Sequence, residues 1–498
     1  GKASGMLRSR KEKNLARLQD RKELRDARKW DMLRIDTPGG PYDWINLTKN
    51  ENDDAVLESK AVEIRRIFPE LLQKQLNGDL MACKALWRLS YTQSDVLKQL
   101  LRDAWINLNL LNHFKNKALW NWDNHLLVVS TGGIIANLCG DKFIAQSVFK
   151  DGGLIPFFQH MVCGKRTEQT LQTLGMMCMH EVIFALEDDD DVGFLSNVME
   201  VVFYDILLTR TCIPSETVSM ESHLTFVVAA FQLVLLCCES ASEQQVEEWF
   251  RPEMIPDIVM YCIDIYGKIP IGIRHFPLQL LRRCSQFHDR VNPILTRNRR
   301  FIPFVLIQCQ NRENYLCAHS AFLILENYIY EGVEYLCDLV ENHDLFRTAL
   351  HRGVIDYFTN NSQLVGWQIQ SVLSCMLTVA IKSDTRNIFQ YLVSHVDIFS
   401  MLMPLLSDVQ QVNAFPERVL YVMQALKRAI KYDKEWARQH FVGRLRGKDV
   451  LDQLYNHPNT DIHAQSMVIL SQLETDDDLT NMQLAPRPGP NGFFSFGI

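Results

Sequence analysis

The sequence lacks the short motifs of nucleotide-binding proteins and of common hydrolases. It has no Gly-x-x-x-x-Gly-Lys-Ser/Thr loop, no Gly-x-Gly-x-x-Gly run, no His-Glu-x-x-His pair and no Gly-x-Ser-x-Gly turn. Cys178, His180 and Glu181 form the only compact cluster that resembles a metal site, and they lack a second ligand pair at usable spacing. The cluster also has apolar neighbours, Met176, Met177 and Met179. We therefore predict no enzyme activity, no metal and no cofactor.

Paired cysteines and long hydrophobic runs are also missing. The 13 cysteines include no Cys-x-x-Cys pair, which is typical of free thiols in a reducing compartment. The longest nearly uninterrupted apolar run, Phe226 to Cys238, is shorter than the roughly 20 residues that cross a bilayer. The basic N-terminus has no apolar segment of the signal-peptide type. We expect neither a membrane span nor a secretory leader.

Charge is unevenly distributed along the chain. Residues 1–34 contain twelve Lys or Arg and five Asp or Glu, although the whole chain has a formal net charge of -7. The remaining residues are therefore strongly acidic. Such a body favours a basic partner by long-range attraction.

The stretch from Trp122 to Cys163 predicts a unit of about 40 residues. Its pattern indicates helices over His125–Leu138 and Lys142–Lys150 and a third helix that begins near Pro156. Helices this short cannot bury their apolar faces alone, so they must stack on similar units, as HEAT and armadillo repeats do. We predict an all-α, right-handed armadillo-repeat solenoid over residues 55–473.

Basic residues in the N-terminal arm lie at helical spacing. Arg17, Arg21, Arg25 and Arg28 with Lys29 lie along one face of a predicted helix. The pattern alone is also compatible with a solvated face or with an arm that binds nucleic acid.

The order of residues in this arm resembles the importin-β-binding segment of the importin-α (karyopherin-α) adaptors. The shared features are Lys13-Asn14 and the later run Leu24-Arg25-Asp26-Ala27-Arg28-Lys29. The resemblance implies that importin-β binds Arg17, Arg21, Lys22, Arg25, Arg28 and Lys29. The family's central run of consecutive arginines is reduced here to Arg21-Lys22, so the autoinhibition that it mediates in the family is not implied.

The resemblance extends to the middle and the end of the chain. IIANLCGDK followed by VFKDGGLIPFF is similar to an importin-α repeat, and so is Gly447–Leu470. The tail, with Asp476-Asp477-Asp478 and a final FFSFGI, is similar to the family's acidic C-terminal patch and Gly-Phe-x-Phe peptide. This likeness makes the export receptor of importin-α, which acts with Ran-GTP, another candidate partner.

Importin-α repeats carry Trp-x-x-x-Asn pairs on one helix face, where they bind an extended cargo peptide. In this sequence Trp87 is followed by Tyr91 in the Asn position, and Asn137 is preceded by Gly133 in the Trp position. The corresponding positions of two further repeats are Gln172 with Met176 and Cys375 with Val379. We therefore expect a cargo groove that includes Trp87, Tyr91 and Asn137 but binds conventional lysine-rich nuclear localisation signals weakly or not at all. The sequence is equally compatible with a core position for Trp87. It is also equally compatible with a helix-end or buried hydrogen-bonding role for Asn137.

The predicted organisation has four parts. Residues 1–35 form an importin-β-binding-like basic arm, 36–54 a flexible linker, 55–473 the solenoid, and 474–498 a short disordered acidic and Pro-rich tail. The predicted function is a nuclear import adaptor of the cytoplasm and nucleus, a monomer apart from importin-β and a specific, possibly basic, protein cargo. The alternatives are an armadillo scaffold that assembles a nuclear complex and a protein that binds nucleic acid through its arm.

Overall fold

The computed structural model shows helices in two compact units, unit 1 over Gly1–Ile269 and unit 2 over Pro270–Ile498. It describes residues 45, 54–92, 94–115, 125–151, 154–163, 169–185, 192–207, 220–330, 332–394, 397–407, 412–413, 416–473, 487–488 and 494–495. The predicted basic arm 1–35 lies outside these residues.

The described helices of unit 1 are numbered in chain order. They are α1 (Asp54–Ser59), α2 (Ala61–Leu76), α3 (Leu80–Ser90), α4 (Asp95–Asn107), α5 (Leu110–His113), α6 (His125–Leu138), α7 (Lys142–Lys150), α8 (Leu154–Cys163), α9 (Gln169–Ala185), α10 (Val192–Val198), α11 (Met220–Ser240), α12 (Glu243–Trp249) and α13 (Ile255–Tyr266). Helix α10 continues as a π-helix over Met199–Leu207.

Unit 2 begins with a 3-10 turn over Ile271–Ile273. Its described helices are α14 (His275–Ser285), α15 (His288–Arg297), α16 (Phe301–Cys309), α17 (Tyr315–Tyr330), α18 (Val333–Glu341), α19 (Arg352–Asn361), α20 (Gln363–Lys382), α21 (Arg386–Ser394), α22 (Ile398–Ser407), α23 (Pro416–Tyr432), α24 (Lys434–Trp436), α25 (Gly447–Tyr455) and α26 (Thr460–Leu473). Helix α24 continues as a π-helix over Ala437–Arg444.

One helix of each repeat packs against its counterpart in the next repeat. We call these the ladder helices: α3, α6, α9 and α11 in unit 1, and α14, α17, α20, α23 and α26 in unit 2. Hydrogen bonds between neighbouring ladder helices join residues far apart in sequence, such as Ser90 and Asn137, 47 positions apart, and Ser285 and Asn327, 42 positions apart. The predicted all-helical repeat of roughly 40 to 47 residues is thereby confirmed.

The predicted bounds of α6 and α7 are confirmed residue for residue, and the third helix of that repeat, α8, begins two residues before Pro156. Asp141 fixes the start of α7, because its carboxylate accepts hydrogen bonds from the backbone N–H groups of Phe143 and Ile144. Such a cap satisfies donors that the first helical turn leaves without partners.

Two ladder helices are long and apolar enough to cross a membrane by length and composition alone. They are the segments His223–Ser240 of α11 and Gln363–Lys382 of α20. The first is longer than the run Phe226 to Cys238 that the sequence pattern picked out, because helix α11 continues on both sides of it. In the protein 78% and 89% of the two segments are buried, as in the core helices of a repeat protein.

The cysteines that the structure describes are free thiols, and all are buried except the half-buried Cys337. Burial raises the pKa of the Cys237 and Cys309 thiols well above the ordinary value, so both remain protonated at neutral pH. This agrees with the prediction of free rather than paired cysteines.

In the tail, the structure describes two short strands, β1 (Arg487–Pro488) and β2 (Phe494–Ser495), which pair antiparallel. The sequence analysis predicted this tail as disordered, and the paired strands depart from that expectation. The remaining residues of 474–498 lie outside the described part.

Candidate protein-binding surface

The six residues predicted to bind importin-β lie outside the described part of the chain. They are Arg17, Arg21, Lys22, Arg25, Arg28 and Lys29. Their role therefore stays a prediction from the sequence. The predicted cargo-groove residues, in contrast, are all described.

Trp87 lies near the end of α3, and its ring covers the backbone of the next ladder helix. A Cβ atom at Gly133 of α6 would lie 1.6 Å from Cζ3 and 2.0 Å from Cη2 of Trp87. The ring therefore occupies the space in which any side chain at position 133 would begin. Two facing tryptophans cannot form a slot here, because Trp87 itself fills the place of the second one.

Asn137 forms a hydrogen bond to the preceding ladder helix. Its Nδ2 donates to Ser90 Oγ over 3.0 Å, and Ser90 Oγ donates to the backbone oxygen of Trp87 over 2.8 Å. One amide N–H is thereby used within the protein. The described residues contain no hydrogen-bond partner for its second N–H or for Oδ1, so these groups can still bind a peptide backbone.

Tyr91 follows α3 immediately and is half-buried. Its neighbour Arg88 forms an ion pair with Asp54 of α1 over 2.8 Å, and both side chains are mostly buried. Thr92 donates a hydrogen bond to the other oxygen of Asp54 over 3.1 Å. The end of α3 is thus fixed by the first described helix of the unit.

The next predicted pair does not reach the surface. Gln172 is 7% exposed and Met176 is fully buried. Gln172 Nε2 donates to the backbone oxygen of Val162 in α8 over 2.9 Å. Both side chains therefore belong to the packing of α9, and the expectation that this repeat lacks the Trp-x-x-x-Asn pair at its surface is consistent with the structure.

Unit 2 contains a second copy of the asparagine arrangement, which the sequence analysis missed. Asn327 Nδ2 of α17 donates to Ser285 Oγ over 2.9 Å, and Ser285 Oγ donates to the backbone oxygen of Arg282 over 2.9 Å. Arg282, at 6% exposure, thus takes the position that Trp87 has in unit 1. The sequence does contain a signal for this bond. One ladder helix ends in Ser, and an Asn follows about 45 residues later, near the end of the next ladder helix.

Beside Asn327, the carboxylate of Glu326 is held by the next ladder helix. Oε1 accepts a hydrogen bond from Ser371 Oγ over 2.6 Å, and Oε2 accepts one from Gln368 Nε2 over 2.5 Å. Both donors lie on α20. Because two donors fix the two oxygens, this carboxylate has a defined orientation between α17 and α20.

The predicted positions Cys375 and Val379 of α20 are buried, at 1% and 6% exposure. Burial, and to a smaller degree the nearby Glu326, raises the pKa of the Cys375 thiol. Burial likewise raises the pKa of Tyr421, which is hydrogen-bonded to Cys375. Glu326, Cys375 and Tyr421 thus form a polar cluster across α17, α20 and α23.

The sequence cluster around Cys178 takes part in packing. Cys178 Sγ donates to the backbone oxygen of Gly132 on α6, and the buried pair His180 Nδ1 and Glu181 Oε1 lies 3.6 Å apart. Among the described residues, no group of three His, Cys, Asp or Glu side chains is placed to hold a metal ion.

Comparison with known proteins adds little to this geometry. No family model matches the chain, and no curated protein matches it. Among solved structures it is similar to importin beta crystallised in a polyethylene glycol condition, with 13% identity and a TM-score of 0.43 over 82% of this chain and 54% of that one. It is also similar to importin beta from an ammonium sulfate condition, with 11% identity and a TM-score of 0.45 over 92% and 63%. The chain thus spans less than two thirds of these proteins, and neither similarity supports a conclusion about function.

Proposed function

We propose that this chain is a non-enzymatic nuclear import adaptor that links a specific protein cargo to importin-β. The basic arm, with Arg17, Arg21, Lys22, Arg25, Arg28 and Lys29, binds importin-β, and the right-handed armadillo-type repeats bind the cargo. Two kinds of observation support this. The order of motifs from the arm to the tail resembles importin-α, and the ladder helices repeat at the expected spacing.

The observation that carries the cargo part of the proposal is the contact between Trp87 and Gly133. It removes the aromatic slot that would hold the aliphatic stem of a lysine, whereas Asn137 keeps an amide N–H and Oδ1 for a peptide backbone. The adaptor therefore retains a backbone-binding asparagine and loses the lysine slot. It selects a restricted cargo set rather than general lysine-rich signals.

A binding experiment with purified importin-β tests the adaptor role. The full chain should bind importin-β and release it when Ran-GTP is added. A variant with Arg25→Glu, Arg28→Glu and Lys29→Glu should lose this binding. The substitutions replace three positive charges of the arm by negative ones, so attraction to importin-β becomes repulsion. The matched control is Arg65→Glu with Arg66→Glu, two exposed positions of α2, which should bind as the wild type does.

If the full chain never binds importin-β, the adaptor proposal is wrong. The alternative is then an armadillo scaffold that assembles a nuclear complex without importin-β. The same protein should be found in both cytoplasm and nucleus if it is an adaptor. Binding to the export receptor with Ran-GTP is a further expectation from the tail.

A further inference from the structure

An exposed arginine, Arg312, contacts a group of aromatic rings near the start of α17 in unit 2. The guanidinium carbon of Arg312 lies 4.4 Å from the ring centroid of Tyr357 in α19. The Tyr357 ring packs edge-on against Tyr315 and against the buried Phe358, at centroid distances of 6.5 and 5.2 Å. The stack thus connects the core of unit 2 to a charged group at its surface.

The polar groups of the same cluster hold the arginine in place. The hydroxyls of Tyr315 and Tyr357 are 3.2 Å apart and share a hydrogen bond. Arg312 Nη2 donates to the backbone oxygen of Gly353 at the start of α19, over 3.5 Å. Arg312 is thus held by a hydrogen bond to Gly353 and by contact with the Tyr357 ring, and it remains exposed to solvent.

The loop that carries Arg312 is also fixed. Asn311 Oδ1 accepts hydrogen bonds from the backbone N–H groups of Glu313 and Asn314. Asn314 Nδ2 donates to the backbone oxygen of Ile271 over 2.8 Å, and Ile271 is 44% exposed. A partner that binds here would lose little conformational entropy in the protein, because the loop is already ordered.

The charges at this position select the kind of partner. Residues 269–381 contain ten arginines and no lysine, and the guanidinium is the side chain that binds carboxylates in a bidentate manner. Acidic residues nevertheless lie close to Arg312 in sequence or beside Tyr357: Glu313 is exposed, and Asp356 pairs with Arg352 over 3.7 Å. An extended polyanion such as nucleic acid would meet these carboxylates along its length, whereas a single carboxylate need contact only Arg312.

We propose that Arg312, Tyr315, Tyr357 and Ile271 form a protein-docking surface for a peptide segment that presents one Asp or Glu beside an apolar side chain. The carboxylate binds the exposed guanidinium of Arg312, and the apolar side chain contacts Ile271 and the tyrosine rings. Arginine and tyrosine, together with tryptophan, are enriched among the few residues that dominate the binding energy of protein interfaces. This surface is separate from the groups assigned to importin-β and to the cargo backbone, so it does not depend on the proposed function.

The test is a display selection of short random peptides against the full chain, after removal of peptides that bind the support alone. We expect enriched peptides that share an Asp or Glu next to Leu, Ile or Phe. Their affinity should fall by at least about tenfold in Arg312→Ala and Arg312→Glu. It should be unchanged in Arg299→Ala, an exposed arginine on the turn before α16 that serves as the matched control.

Two companion measurements keep the result interpretable. Arg312→Lys retains the charge and the fold but removes the planar fork, so it should also bind more weakly than the wild type. The thermal unfolding of each variant shows whether a loss of binding reflects misfolding. The proposal is overturned if no peptide is enriched, if enriched peptides lack a carboxylate, or if Arg312→Glu binds them equally. It is also overturned if single-stranded DNA competes for Arg312 with a steep salt dependence, because a polyanion would then be the ligand.

Discussion

The two units hold their asparagines in the same way but surround them with different chemistry. In unit 1 Asn137 bonds to Ser90 and lies beside the aromatic contact between Trp87 and Gly133. In unit 2 Asn327 bonds to Ser285, and its neighbour Glu326 binds Gln368 and Ser371 of the next ladder helix. The comparison teaches that the repeat fixes the backbone and the Asn–Ser bond, whereas neighbouring residues decide what each unit can bind.

The largest expected difference between the units is in how much stability each loses at low pH. His275 at the start of α14 is 1% exposed, and its burial lowers its pKa to about 4. The unfolded chain takes up this proton near pH 6.5, so between pH 6.5 and 4 the unfolded state binds more protons. Unit 2 should therefore lose about 3 kcal/mol of stability as the pH falls through this window.

Hydrogen exchange of peptides from α14 in urea, at pH 7.5 and at pH 5, should show about 2 kcal/mol of this loss, because pH 5 lies within the window. His275→Phe keeps an aromatic ring against Phe276 and should flatten the pH dependence, whereas the exposed control His440→Gln should leave it as in the wild type. An unchanged pH dependence in His275→Phe would show that another group controls the acid sensitivity of unit 2.

The Glu326 cluster should produce the next largest effect. Glu326→Ala leaves the donors of Gln368 and Ser371 without their acceptor, and a part-buried donor without a partner costs about 2 kcal/mol. Urea unfolding of unit 2 should show this loss, and the exposed control Glu313→Ala should change stability by less than about 0.5 kcal/mol. Equal effects of the two substitutions would mean that the cluster does not stabilise the unit.

Substitutions at two adjacent glycines of α6 test whether the Trp87 ring occupies the lysine slot of unit 1. A methyl group at Gly133 would overlap the Trp87 ring, whereas one at Gly132 would lie 3.4 Å from Met161 Cε, an ordinary contact. Gly133→Ala should destabilise unit 1 by about 1.5 kcal/mol after the gain in helix propensity, and Gly132→Ala should be neutral or stabilising. Thermal unfolding of both variants measures the difference. Similar stabilities would show that Trp87 can leave Gly133 at no cost.

The smallest expected loss of stability comes from removing the Asn–Ser hydrogen bond that both units contain. Asn137→Ala and Asn327→Ala each remove one hydrogen bond to a serine and should each cost about 1 kcal/mol. The double variant should lose the sum of the two, because the sites do not share partners. Chemical unfolding of the three variants checks this. A large effect in one unit only would contradict the equivalence of the two Asn–Ser bonds.

The sequence was sufficient for features that depend on local pattern. The bounds of α6 and α7, the repeat length and the free cysteines follow from periodicity, turn residues and spacing, and all were predicted. The two π-helices were not predicted, because their apolar spacing over one or two turns hardly differs from that of an α-helix.

Features that depend on contacts between repeats were found only in part. Trp87 and Asn137 were predicted as groove residues, but the position of the Trp87 ring on Gly133 depends on how α3 and α6 pack. Asn327 and the Glu326 cluster were missed, since their partners lie 42 to 49 residues away in sequence and on different helices. A single sequence does not show which residues of two neighbouring repeats meet.

The most direct test of the closed slot is the fluorescence anisotropy of a labelled, lysine-rich nuclear localisation peptide titrated with the full chain at physiological salt. We predict no saturable binding at micromolar protein concentrations, because the Trp87 ring covers Gly133 and leaves no slot for a lysine stem. A dissociation constant in the low micromolar range that is lost in Trp87→Ala would contradict this account and would show that unit 1 binds such signals directly.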